Sequence, residues 1–157
     1  MITLAGRLLD IADQLIRNGM NSSALKRRAV STAYYAVFHA LAKACTNTLL
    51  PSVDRNSDAY QRVYRALDHG PLKAAFAAGA GPLRDRDPLK KIGDAVTQLQ
   101  SERHRADHMP PSKNFFSPNQ AETLVQRARE AVTDIENLSS RDRIALATWL
   151  LFKSRSS

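Results

Sequence analysis

Apolar residues recur along this 157-residue chain at spacings of three and four, and nowhere do they alternate with polar ones. Because side chains repeat every 3.6 residues on a helix and every two on a strand, that pattern admits helices and excludes a sheet. The first helix is expected over about 2–18, with Leu4, Leu8, Ile11 and Leu15 on its inward face and Gly19 ending it. Asn21, Ser22 and Ser23 supply caps for a long second helix, about 23–48. Its stripe Val30, Ala33, Tyr34, Val37, Phe38, Leu41, Cys45 faces one way, and Arg28, Tyr35, His39 and Ala42 face the other. A helix with apolar or aromatic groups on two faces is expected to be covered from both sides.

Further on, a loop over 50–57 precedes a shorter helix, about 58–68, which breaks at His69-Gly70-Pro71 and resumes for a turn or two through Ala78. The break makes His69 a helix-end residue, where a protonated imidazole suits the dipole. Gly79-Ala80-Gly81-Pro82 is a corner, and Asp87-Pro88 opens a helix to about 107, since Pro is favoured in the first turn. Ser117-Pro118 opens another, about 118–137, and a last apolar helix covers about 141–153. No repeat or second domain is evident. The expected fold is all-α, a single-domain bundle of five or six helices over 1–157, with a core over about 2–138 and an extra C-terminal helix.

A single cysteine, Cys45, excludes an intramolecular disulfide framework and a multi-cysteine zinc cluster. It lies in an apolar helix and reads as a small core residue. The opening residues lack the layout of a signal peptide, because Arg7 and Asp10 interrupt the apolar run. The apolar run at 144–152 is far shorter than the ~20 residues that span a bilayer. These features point to a soluble, cytoplasmic protein with no membrane partner. A formal charge of +8 favours an anionic partner, although the charges lie in scattered clusters of mixed sign that also suit a solvated surface.

No metal-ligand spacing, phosphate-cradling glycine loop or Ser-His-Asp arrangement stands out, so neither metal nor cofactor is expected. The sharpest stretch is SERHRADHMPPSK, residues 101–113. On the preceding helix the inward positions run Leu89, Ile92, Val96, Leu99, and the next step of four lands on Arg103. A charge in an apolar slot needs a partner, because burying it alone costs several kcal/mol. Asp107, four residues on, is the simplest one. His108, five residues on, lies about 140° around an ideal helix, unless Pro110 and Pro111 end the helix early enough for its ring to swing toward Arg103. The Arg-x4–6-His spacing occurs twice, at Arg62…His69 and Arg103…His108, about what sixteen arginines and four histidines supply by chance.

Three segments resemble the HEPN domain, the small helical-bundle kind of prokaryotes. RRAVSTAYYAVFHALAKA (27–44) resembles its Arg-Ala-x-Ser-x-Ala-Tyr-Tyr-Ala-x-Phe-His helix, HGPLKAAF (69–76) its His-Gly-x-x-x-x-Phe element, and RHRADHMP (103–110) its Arg-x-x-Ala-Asp-Tyr-x-Pro element. The resemblance implies an RNA-cutting, metal-independent endoribonuclease of a toxin–antitoxin or phage-defence system, built across a homodimer, with Arg103 and His108 as the catalytic pair. His104, Arg105, Lys26, Arg27, Arg28 and Lys113 are the expected RNA contacts. An antitoxin or nucleotidyltransferase is the expected protein partner. Pro110 stands where toxin members carry a tyrosine that such a partner modifies, so silencing at that position is not expected. Two alternatives stay open: a non-catalytic HEPN module that binds nucleotide, RNA or a nucleotidyltransferase, and a plain bundle in which Arg103 pairs with Asp107.

Overall fold

The computed structural model describes residues 3–19, 21–77, 81–112 and 115–152, and among these there is no strand. The described residues form eight helices in order: α1 (Leu4–Asn18), α2 (Ser23–Leu49), α3 (Asp58–Tyr64), α4 (His69–Ala77), α5 (Pro82–Asp85), α6 (Asp87–His108), α7 (Pro118–Glu136) and α8 (Ser140–Leu151). The all-α expectation holds, and the count exceeds five or six because three short helices, α3 to α5, fill the span between α2 and α6. His69 opens α4 rather than closing the helix before it, so it sits at the end of a helix opposite to the one expected. Among the described residues no helix is long and apolar enough to cross a membrane.

The chain divides into two compact units, one of residues 1–40 and 95–133, the other of 41–94 and 134–157. Each is discontinuous in sequence, and the boundaries fall inside α2, α6 and α7 rather than in linkers.

In the first unit, α1 is capped by Thr3, whose hydroxyl accepts from the Gly6 N–H at 3.0 Å. The helix buries Ala5, Leu9, Ala12 and Ile16, whereas Leu4 is 52% and Ile11 46% exposed. The expected inward stripe is therefore one residue out of register. Two apolar stripes lie side by side on α1, and the one that carries the alanines lets a neighbouring backbone approach closely. Beside that stripe Arg129 of α7 pairs with Asp13, with Asp10 at 3.9 Å. At the end of α1, Gly19 has no room for a side chain, since a Cβ there would meet Leu25 Cβ at 2.4 Å and the Leu15 carbonyl at 2.6 Å.

The part of α2 in this unit is buried around nearly its whole circumference, with Ala29, Val30, Ala33, Tyr34 and Ala36 fully inaccessible. From α6 come Val96 and Leu99, and from α7 Ala121, Val125 and Ala128, all buried. Fully burying a Leu or Val contributes ~1.5–3 kcal/mol each, so this aliphatic core dominates the surface ion pairs energetically.

The second unit packs Leu41, Cys45, Leu72, Phe76, Leu83, Leu89, Ile92, Ile135 and Leu146. Its polar links include Arg86–Asp142 at 3.0 Å and Lys91–Asp134 at 3.3 Å, and Tyr60 donates its hydroxyl to Asn47 Oδ1 at 2.7 Å. Gly93 makes the α6–α4 approach possible, because a Cβ there would lie 2.6 Å from Phe76 Cδ1.

Candidate functional site at the end of the sixth helix

The inward positions Leu89, Ile92, Val96 and Leu99 are wholly buried, as their spacing requires, and Ala106 is nearly so. Arg103, the odd member of that series, keeps 17% of its side chain exposed and pairs with Asp107, Nη1 to Oδ2 3.7 Å. Ser31 of α2, itself buried, donates its hydroxyl to the same carboxylate oxygen at 3.4 Å. The guanidinium carbon lies 5.1 Å from the Tyr34 ring centroid and 5.9 Å from that of Tyr35. A cation is tolerated in this half-buried slot because two aromatic faces and one carboxylate surround it. Arg103 Nε is buried and has no hydrogen-bond partner among the described residues.

Burial pushes the Tyr34 hydroxyl up to about 12, against the opposing pull of Arg103 and with a further push from Tyr35. Farther along α2, burial lowers the pKa of His39.

The helix ends where the prolines require it. Met109 precedes Pro110 and is biased away from the helical region, and its N–H makes a last bond to the Arg105 carbonyl at 3.0 Å. The terminal carbonyls of a helix have no partner within it. Here they accept from Arg27 of α2, whose Nε donates to the Ala106 carbonyl at 2.7 Å, Nη2 to Met109 and Nη1 to Pro110 at 3.4 Å. A cation at this end also suits the helix dipole. The Arg27 guanidinium lies 4.7 Å from the centroid of the Phe115 ring, and Arg105 lies 5.0 Å from the same centroid.

His108 remains within α6, so its ring does not swing toward Arg103. It stands one helical turn beyond His104 on the same face, the two exposed rings 4.7 Å apart between centroids and tilted by 50°. Arg105 is held by Glu102 in an ion pair of 2.8 Å. Within one chain, then, the structure brings His108 to His104 and Arg103 to Asp107.

Of the expected RNA contacts, Lys26 is buried, Arg27 is committed to backbone carbonyls, and Arg28 is exposed. Lys113 lies outside the described residues. Arg28 lines an open cleft of about 700 Å³ together with Ser23, Asp107 and Ser112. Sequence reasoning missed Ser31 and Phe115 as parts of this site. The paired aromatics Phe115-Phe116 were the available signal for one, and the serine of the Arg-Ala-x-Ser pattern at 28–31 was the signal for the other.

Chemically the site offers exposed imidazoles able to carry protons, a sheltered guanidinium, and a cleft edged by an exposed arginine. Among the described residues, no group of three or more His, Cys, Asp or Glu side chains is gathered to hold a metal ion. Comparison of the chain with protein-family models, curated proteins and solved structures returns no match.

Proposed function

We propose that this protein acts on RNA as a metal-independent endoribonuclease of the HEPN kind, in a toxin–antitoxin or phage-defence setting, and works as a homodimer. The observation that carries the reading is the exposed His104–His108 pair at the C-terminal end of α6, directly after Arg103 in the chain. In this chemistry the ribose 2′-hydroxyl attacks the adjacent phosphorus, closing a 2′,3′-cyclic phosphate as the bond to the 5′-oxygen breaks and that oxygen leaves with a proton taken from solvent. His108 takes the hydroxyl proton, and an Arg103 guanidinium balances the charge that builds on the phosphorane-like transition state. Because the two side chains of one chain lie on different sides of α6, the pairing must use Arg103 and His108 from different copies. Arg28 at the cleft would hold phosphate without reading bases. The test is RNA cleavage in EDTA by wild type, Arg103→Ala, Arg103→Lys and His108→Ala. Loss of cleavage in Arg103→Ala and His108→Ala is expected, and unchanged cleavage in both rejects the site.

A second reading, a non-catalytic HEPN module that binds nucleotide, RNA or a nucleotidyltransferase, is favoured by the engagement of Arg103. Its charge is already met by Asp107 and two tyrosine rings. On that reading wild type leaves RNA intact and co-purifies with its partner.

A further inference from the structure

We propose that His104 and His108 form a binding site for a borderline divalent transition metal of the nickel, copper and zinc class. Residues four apart on a helix stand one above the other, and here both are histidines with exposed rings whose centroids are 4.7 Å apart. Among the described residues neither ring has a hydrogen-bond partner, so a nitrogen of each is available to turn toward a common ion. Imidazole nitrogens hold zinc at about 2.0–2.1 Å, a reach that two rings this close can share. Imidazole suits these metals, whereas magnesium and calcium prefer oxygen donors. Water would complete the coordination of a site open to solvent.

Two further features suit a cation there. The arginines on either side of His104 are both matched with carboxylates, Arg103 with Asp107 at 3.7 Å and Arg105 with Glu102 at 2.8 Å, so an incoming ion does not meet their charge unbalanced. The turn that carries the rings is also pinned by Arg27 through the carbonyls of Ala106, Met109 and Pro110. A pre-ordered pair loses little conformational freedom on binding.

A consequence follows that rests on the ribonuclease reading, although the binding itself does not. A metal held by both imidazoles occupies the nitrogen that His108 needs as a base, so the metal would inhibit RNA cleavage. The site would thus couple the activity to the availability of transition metal.

Titration calorimetry of the untagged protein with nickel chloride tests the proposal. One ion per chain is expected, with His104→Ala and His108→Ala each weakening binding by about tenfold or more, a loss of ~1.4 kcal/mol. Circular dichroism of both variants controls for folding. Arg103→Ala, which abolishes cleavage on the ribonuclease reading, should still bind nickel, so the two ideas fail separately. Absence of binding by wild type, or binding by both histidine variants as tight as wild type, overturns the site. If wild type cleaves RNA, saturating nickel should abolish cleavage, and cleavage that persists with the site filled overturns the inhibitory role.

Discussion

Arg103 and Asp107 pair one turn apart at 3.7 Å, and the carboxylate is also held by Ser31 from a different helix. The arginine precedes the aspartate, the weaker orientation for a helical pair, and on an open surface such a pair is worth only ~0.2–0.5 kcal/mol. Here the guanidinium is mostly enclosed, so loss of the carboxylate leaves a sheltered cation with only π faces opposite it. Asp107→Ala is therefore expected to destabilise by about 1–3 kcal/mol in urea unfolding, and Arg103→Met added to it should recover part of that loss. A double variant no more stable than Asp107→Ala would show that the sheltered charge is not the cause.

Arg27 is expected to matter more for structure than its place in a basic run suggests. Arg27→Ala leaves the Ala106 and Met109 carbonyls without their charged donor and should cost about 1.5–3 kcal/mol. Arg27→Lys keeps the charge but loses the planar fork, and should fall between the two. Hydrogen exchange at the end of α6 should accelerate in Arg27→Ala well before the rest of α6 responds.

Gly93 sets two effects against each other. Alanine is favoured over glycine within a helix by up to ~1 kcal/mol. Yet its Cβ would lie 2.6 Å from Phe76 Cδ1, in a unit where that ring is buried. Overpacking of this kind costs about 1–3 kcal/mol, so Gly93→Ala should be net destabilising. Combining it with Phe76→Leu should cost less than the sum of the two single changes, as thermal unfolding would reveal.

Stability should fall at both ends of the pH range. Burial depresses the folded pKa of His39 below its ordinary 6.5, so below pH 6.5 the unfolded chain binds the extra proton and stability declines as pH drops. His39→Gln should flatten that slope. At the alkaline end, burial raises the Cys45 thiol from 9.0 to about 12 and the Tyr34 hydroxyl from 10.0 to about 12. Their contributions are complete below the unfolded values and are lost as pH rises from 9 toward 12, at ~1.4 kcal/mol per unit and group. Cys45→Ala should move the onset of that loss from about pH 9 to about pH 10, in denaturant titrations at fixed pH.

The sequence alone determined the helical class, the extent of α2, α6 and α7, and the odd position of Arg103, because each depends on spacing along one helix. The partner of Arg103 was also legible, since Asp107 is one turn away. Three things depended on the tertiary structure. On α1 two apolar stripes compete within one residue of register, and the one that carries Ala5 and Ala12 is buried. In the run Lys26-Arg27-Arg28, burial takes the first and helix-capping the second, leaving only Arg28 exposed. At the end of α6, helical hydrogen bonding persists through the Met109 N–H, keeping His108 against His104. Local spacing specifies which side chains share a face. Which face meets a neighbour, and which cation meets a carbonyl, is settled only by contacts between segments distant in the chain.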